Sequence, residues 1–591
     1  MCGVLGAISD NNLGKFKSAL ALLKHRGPDN QGIYSSNNIL LGHTRLSIID
    51  VAIHSHQPME MDNLVLTFNG EIYNYLEIKE ELLSLGYIFN TLSDTEVLLK
   101  AYAEWGEKCV KKFNGMWAFS ILDKEKQTLF LSRDRFGVKP LYYIYDKNRF
   151  IFASEIKSLL PYLDKVIANR DELIRYIVYG VQEDREETMF QNIYRFPFST
   201  NALYDIQSKT LSFKKYYTLK VDVDESLDEL SFESVLEELL DKSIDFRLRS
   251  DVQIGMALSG GVDSNIIVAK AHKKNKNIES FSSIYDSKEQ INENENIEHT
   301  VKKLDLEQHY ITSTVDSLVE NIEKIVWLQD EPFDTLGIFA QYKVYEEMHN
   351  NSVKVSLDGQ GADEIFAGYG TYRVAIIREN IFSYYFLKEY FKHYKSFFMQ
   401  DSKLLLISFF PKLFEWFYFK KRAKKIFNKK ISFVSSLKKS FLNFDNLNIK
   451  LKSDVKEYLS VLLRYVDRNS MAHSIESRAP FLDYKVINHA FTIPSTLKYK
   501  DGFSKYILRK TFDKDVSKDI IWNRDKKGFP VPQNEWCMDN DFNLLAKKYI
   551  DKSMILENLD INIKVDKDDP MYWKIVNVAI WEDVFKVVSI K

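Results

Sequence analysis

Two groups of residues in this 591-residue chain have the types and spacing to do chemistry. The first opens the chain, Met1-Cys-Gly-Val-Leu-Gly-Ala-Ile-Ser-Asp10. Removal of Met1 would leave Cys2 with a thiol and an α-amine on one residue. That amine, with a pKa of about 7.7–8, can act as the thiol's base without a histidine. A cysteine incidental to the start methionine is the plainer reading of these residues alone, but three later clusters weigh against it. Gly42-His-Thr-Arg-Leu-Ser-Ile-Ile-Asp50 offers Arg45, a planar fork suited to a carboxylate. Leu64-Val-Leu-Thr-Phe-Asn-Gly-Glu71 ends on an amide, a flexible N–H and a carboxylate. Asn69 and the N–H of Gly70 could form an oxyanion hole, while Glu71 could hold an ammonium. Leu92-Ser-Asp-Thr-Glu96 adds Asp94, and either its Ser or its Asp can cap the helix that follows.

The second group centres on Leu258-Ser-Gly-Gly-Val-Asp-Ser264. Glycines admit a ligand close to the backbone, successive N–H groups face inward, and a helix start adds partial positive charge. Ser259 and Ser264 can donate to phosphate oxygens. Asp263 would repel phosphate unless a cation lay between, so Mg²⁺ bridging Asp263 and a pyrophosphate is the sensible reading. No lysine is present, which excludes the nucleotide loop ending in Gly-Lys-Ser/Thr. Asp358-Gly-Gln-Gly-Ala-Asp-Glu364 places Asp363 like Asp263, and two such carboxylates suit one Mg²⁺–pyrophosphate. An acidic helix cap is the alternative for Asp363. Gly502-Phe-Ser-Lys-Tyr-Ile-Leu-Arg509 sets Lys505 and Arg509 one helical turn apart, suited to polyphosphate or to a surface salt bridge.

These residues need particular elements beneath them. The apolar run 252–257 predicts a buried strand, 265–270 the first turns of a helix, and 281–285 and 353–357 further strands. A nucleotide base would rest at such strand ends, at the crevice of an open parallel sheet, which brings in Ser283. Phe232, Val235, Leu236, Leu239, Leu240 and Ile244 recur at helical spacing. Val4, Leu5 and Ala7 predict a strand holding Cys2 at a sheet edge. Residues 188–217 read as strand-like, and the acidic segment 221–225 as linker. In the polar run 467–483, read as a helix, Arg468, Glu476 and Arg478 cannot all face a core, which predicts a solvated helix and a turn at Pro480.

Composition sets the class. Apolar residues are 45% and charged residues 28%, ordinary globular usage, in a chain long enough for two or more domains. A net charge of −2 argues against bulk nucleic-acid binding. Cys2, Cys109 and Cys537 are too few and scattered for a disulfide framework, which fits a cytoplasmic protein. Eleven histidines show no zinc-like spacing. No secretory signal and no apolar run able to span a bilayer are expected.

The N-terminal clusters, with His25-Arg-Gly-Pro-Asp29, Phe113-Asn-Gly-Met-Trp-Ala-Phe119 and Arg133-Asp-Arg-Phe-Gly-Val-Lys-Pro140, resemble the glutaminase domain of the N-terminal-nucleophile amidotransferases. The second half resembles the synthetase domain of glutamine-dependent asparagine synthetases, through the loop at 258–264, Asp330-Glu-Pro332, 359–369, 468–483, Lys505 and Trp522-Asn-Arg-Asp-Lys-Lys-Gly-Phe529. The resemblance implies an α/β protein in which an N-terminal αββα glutaminase sandwich (2–205) is joined by a linker (206–229) to an α/β parallel-sheet ATP-pyrophosphatase domain (230–591). It implies Cys2 as nucleophile, Asn69 and Gly70 as oxyanion donors, and Arg45, Ile48, Glu71 and Asp94 as glutamine holders. It further implies Leu258, Ser259, Gly260, Gly261, Val262, Asp263, Ser264, Ser283, Gly359 and Gln360 around ATP, Asp263 and Asp363 on Mg²⁺, and Lys505 on the charge developing at the α-phosphate. Glutamine, ATP and a carboxylic acid, aspartate first, are the implied partners, with a homodimer as one open assembly.

Two departures stand out. Gln360 occupies a position that is typically Glu in asparagine synthetases, the proposed base for attacking ammonia, and Gln cannot take a proton. Asp358 or Glu364 could substitute. Alternatively the acceptor is another carboxylate such as a sugar uronic acid, or the chain is a silent binding paralogue. The aromatic and basic stretch 380–452 is extra to the compact pattern, and reads as a helical subdomain with core aromatics or as an interfacial segment.

Overall fold

The computed structural model describes residues 2–8, 10–285, 293–380, 383, 409–427, 446–524 and 531–588. The first half builds two antiparallel sheets. One contains β1 (Gly3–Ile8), β2 (Asn30–Ser36), β3 (Ile39–Arg45), β8 (Tyr142–Tyr145), β9 (Phe150–Ala153) and β10 (Tyr194–Arg195), in the order β10-β8-β9-β1-β3-β2. The other contains β4 (Met59–Met61), β5 (Leu64–Ile72), β6 (Gly115–Asp123), β7 (Thr128–Arg133), β11 (Thr200–Asp205) and β12 (Thr210–Lys215), in the order β12-β11-β7-β6-β5-β4. The two-residue period of a strand sorts the side chains. On β1, Val4 and Ile8 enter the core between the sheets with Val65 and Leu131. Leu5 and Ala7 face Phe16, Ala19 and Leu20 of the Leu13–Ala21 helix. On the far side, Leu66 and Phe68 of β5 pack against Leu82 of the Tyr75–Ser84 helix and Leu98 of the Asp94–Trp105 helix. Helix, sheet, sheet and helix form the four layers.

Two expectations need correction here. β1 lies between β3 and β9, so Cys2 stands at the end of an interior strand, not at a sheet edge. The linker cannot begin at 206, because β12 pairs with β11 from Thr210 to Lys215. β12 is an edge strand: Leu211 and Phe213 alternate toward the core while Ser212, Lys214 and Lys215 are exposed, in keeping with the strand-like reading of 188–217.

The second half is organised on a parallel sheet of β13 (Ile254–Ala257), β14 (Glu279–Ile284), β15 (Gln308–Thr312), β16 (Val355–Leu357) and β17 (Glu476–Arg478), in the order β15-β14-β13-β16-β17. The chain runs from β13 outward to β15, then returns to the other side of β13 for β16 and β17. The carboxyl ends of β13 and β16 are therefore a topological switch point, where a crevice opens. The Glu229–Arg247 helix buries Phe232, Leu236, Leu240 and Ile244 beneath this sheet, while Val235 is exposed.

The largest correction concerns 467–483. The Leu447–Ala472 helix ends before Glu476, and Glu476–Arg478 is a strand of the sheet. Arg468, Glu476 and Arg478 are all buried. Burial is compatible with their charges because Arg468 and Arg478 meet carboxylates across the domain boundary and Glu476 pairs with Arg478. Arg468 reaches Glu155 at 2.7 Å and Asp330 at 2.8 Å. Arg26 binds Glu155 at 2.7 Å and Asp467 at 2.8 Å, and Lys157 binds Asp330 at 2.8 Å. Burial alone would raise the Glu155 carboxyl, but Arg468 and Lys157 hold it well below the usual range.

Of the stretch 380–452, the Pro411–Ile426 helix is described, and the Leu447–Ala472 helix starts within it. Most of the rest, including 404–408, lies outside the described residues, as do 525–529 of the Trp522 motif. The aromatics at 410, 416, 417 and 418 are exposed while Phe419 is buried in the core, so the core-aromatic reading holds for one face of this helix only. Among the described residues, no helix is long and apolar enough to cross a membrane.

Candidate active sites

Cys2 is buried and pinned from both sides. Its N–H donates to Asn69 Oδ1 at 3.2 Å, and its carbonyl accepts from Arg26 Nε at 3.1 Å. Burial pushes the Cys2 thiol up, so it rests protonated until a base takes the proton. Asn69 Nδ2 is buried without a protein acceptor. An unmet buried donor beside a thiol is what an oxyanion site requires. Gly70 follows Asn69 on β5, opposite Trp117. Arg45, at the end of β3, donates to the carbonyls of Ala52 (2.9 Å) and Asp50 (2.5 Å). Those bonds aim the guanidinium and supply the field of the Cys2 pocket. Ile48 differs: its side chain packs into the apolar core shared with the second domain, and its carbonyl accepts from Asp251 N–H.

The floor of this pocket is acidic. Ser93, not Asp94, caps the Asp94–Trp105 helix, which leaves Asp94 to accept from Ile72 N–H at 3.0 Å. Glu71 lies 3.4 Å from Arg478 Nη2, and Arg478 Nε donates to Glu476 at 2.6 Å. Two carboxylates thus share one guanidinium, whose charge also reaches Asp94. Burial, with Glu476 nearby, raises the Asp94 carboxyl to about 6, and burial, Asp94 and Glu476 raise Glu71 well above its ordinary value. An incoming ammonium would relieve that surplus of negative charge. Glu476 and Arg478 were not among the residues expected here. The polar density of 467–483 was their signal, misread as a solvated helix.

β17 joins this pocket to the second one. Its alternation sends Glu476 and Arg478 toward Glu71, and Ser477 the other way, onto Asp358. Asp358 lines a cavity of about 400 Å³ at the carboxyl ends of β13 and β16. All of 258–264, with Ser283, Gly359, Gln360, Asp363 and Lys505, line the same cavity. Gly260 adopts φ +74°, a left-handed turn that glycine accepts without strain, and the Val262–Lys274 helix starts directly after Gly261. Ser259 and Ser264 hydroxyls lie 3.1 Å apart across the loop. Lys505 does not share a helical face with Arg509: it precedes the six-residue Tyr506–Thr511 helix at φ +53°. That backbone turn sends its ammonium between Asp263 (2.5 Å) and Asp363 (2.7 Å). A Cβ on Gly368 would fall 1.7 Å from Asp363 Oδ1, so only glycine leaves room for this pair. Arg509 lines the cavity with its guanidinium anchored on the carbonyls of Ser504, Ile521 and Asn523.

Residues 1–217 match the family described as glutamine amidotransferase domain, and residues 235–571 match asparagine synthase. A Bacillus subtilis protein named asparagine synthetase [glutamine-hydrolyzing] 1 is 31% identical, with 99% of this chain and 97% of that protein covered. The chain belongs to the asparagine synthase family. A second B. subtilis protein of the family, asparagine synthetase [glutamine-hydrolyzing] 3, is 29% identical over 90% of this chain and 87% of its own length. A Penicillium rubens protein named amidase chyE is 26% identical over 88% of this chain and 85% of its own. Within this asparagine synthase family chain, Gln360 remains the departure at the cleft. Of the two carboxylates expected to replace a missing base, Asp358 lines the cavity but accepts from Tyr345 (2.9 Å), Ser356 (2.8 Å) and Ser477 hydroxyls. Glu364 accepts from Tyr369 at 2.5 Å and is not part of the cavity wall. Asp358 ties β16, β17 and the Gly337–Asn350 helix together through those three hydroxyls, and burial raises its carboxyl above the ordinary range, so it can still accept a proton.

Proposed function

We propose that this chain is a glutamine-hydrolysing carbon–nitrogen ligase that releases ammonia at Cys2 and uses it to amidate a carboxylate activated by ATP. The observation that supports this most is the shared strand: β17 contributes Glu476 and Arg478 to one pocket and, through Ser477 and Asp358, the wall of the other. Glutamine would enter with its ammonium toward Glu71, Asp94 and Glu476 and its carboxylate toward Arg45. The Cys2 α-amine, freed by loss of Met1, takes the thiol proton, and sulfur adds to the carboxamide carbon. Asn69 Nδ2 and Gly70 N–H meet the oxyanion. Ammonia leaves with that proton, and water cleaves the thioester to glutamate.

In the second cleft a carboxylate oxygen attacks the α-phosphorus of ATP and pyrophosphate departs, which leaves an acyl-adenylate. Ammonia then displaces AMP to give the amide. Lys505, which lines this cleft between Asp263 and Asp363, would meet the charge that develops at the α-phosphate. Asp263 and Asp363 are hard oxygen donors from two strand ends that already share one cation, a donor set that fits Mg²⁺. They are the residues that would hold the ion, which when bound would neutralise pyrophosphate charge. The relatives' names make aspartate the first acceptor to offer. Gln360 favours a second reading, another carboxylic acid such as a uronic acid, because the expected base is absent.

Pyrophosphate release with ATP, Mg²⁺ and ammonia, screened over aspartate and other carboxylic acids, tests the reading. Release is expected with one class of acid, in step with AMP. No release with any acid would leave a binding paralogue as the better description.

A further inference from the structure

We propose that the outer face of the Pro411–Ile426 helix docks on an anionic lipid bilayer surface. One side of this helix is fixed to the protein. Phe419 packs edge-on against Tyr179 with ring centroids 4.5 Å apart. Arg422 Nη2 lies 2.6 Å from Met571 Sδ, and Lys425 binds Asp569 at 2.5 Å. The opposite side is turned outward. Phe410 is 60% exposed, Leu413 54% and Phe417 55%, at a spacing of three and four residues that puts them on one face, with Trp416 46% exposed beside them. Continuing that face toward the C-terminal end, Lys420, Lys421 and Lys424 are exposed, and Lys420 Nζ lies over the Trp416 ring at 4.2 Å.

Charge complementarity names the occupant. Glu415, the one acidic residue of this helix, is buried on the anchored side, so the outward face is apolar and cationic. Such a face is anomalous on a chain whose net charge is −2. Four large apolar side chains in one outward patch are poorly placed in water. Rings at the depth of the glycerol backbone, with lysine ammonium groups reaching phosphates just above, satisfy both halves of the face at once. Each lysine near an anionic leaflet adds to the attraction, and salt weakens it. The helix would lie flat on the surface, since it is too polar to cross.

Co-sedimentation of the intact protein with vesicles of phosphatidylcholine alone, or mixed roughly 3:1 with phosphatidylglycerol, is the test. Partitioning to the anionic vesicles is expected to exceed that to the neutral ones by about tenfold and to fall with added salt. The triple variants Phe410→Ser/Leu413→Ser/Phe417→Ser and Lys420→Glu/Lys421→Glu/Lys424→Glu should each lose most of it, with wild-type circular dichroism melts showing that they fold. Absence of binding to anionic vesicles, or equal binding by either folded variant, would overturn the proposal. So would lipid-free dimerisation abolished by the same substitutions, which would make the face a contact between two copies.

Discussion

At the scale of single residues, Asp94 carries the sharpest consequence. Burial, first among the causes, pushes its carboxyl up to about 6. The ionised form is what an ammonium requires, so kcat/KM for glutamine should steepen its fall as pH drops below about 6, beyond the limb due to the Cys2 amine near 8. Asp94→Asn should remove that second limb and lower kcat/KM by about 10- to 100-fold at neutral pH, the worth of a charge-assisted hydrogen bond. The sign for stability is opposite. A raised acid favours the fold below its ordinary pKa and loses that contribution as pH rises through 6. At Gln360 the prediction concerns the acceptor. Gln360→Glu should raise amide formation with aspartate by tenfold or more, within the range of a general base, if only a base is missing. An unchanged rate in a coupled AMP assay would mean that the acid itself differs.

At the scale of elements, β17 shows what could and could not be read in advance. The loop 258–264 was legible because its chemistry is local: glycines, two serines and a misplaced aspartate within seven residues, between an apolar strand and a helix. Glu476 and Arg478 were not, because what makes them buriable is distant in sequence. Glu71 lies on a strand of the other domain, and no periodicity within 467–483 announces it. Arg468 failed for the same reason, since its partners are Glu155 and Asp330. Lys505 does line the cleft but was wrongly placed on a helix, because a left-handed lysine has no signal in composition. The strand also yields a test. Arg478→Met would leave Glu71, Asp94 and Glu476 without their guanidinium, at about 3–5 kcal/mol in urea unfolding. Glu476→Gln added to that variant should restore part of the loss, because it removes a carboxylate that Arg478 no longer offsets. No restoration would argue that Arg478 acts through packing.

At the scale of the molecule, two sites of different chemistry share one buried charged boundary. Arg26 holds the Cys2 carbonyl with one nitrogen and Asp467 with two others, and Asp467 sits on the helix whose Tyr458, Leu462 and Tyr465 line the second cleft. The Cys2 pocket and the second cleft are therefore parts of one packed unit, so ammonia released at the first, as proposed, would emerge beside the wall of the other. The central claim is that Cys2 serves only to release the nitrogen of glutamine. It is tested most directly by comparing glutamine-dependent and ammonia-dependent amide formation in Cys2→Ala, with the acid that supports pyrophosphate release. The account predicts loss of glutamine-dependent product with ammonia-dependent product retained near the wild-type rate. Glutamine-dependent synthesis surviving in Cys2→Ala would contradict it.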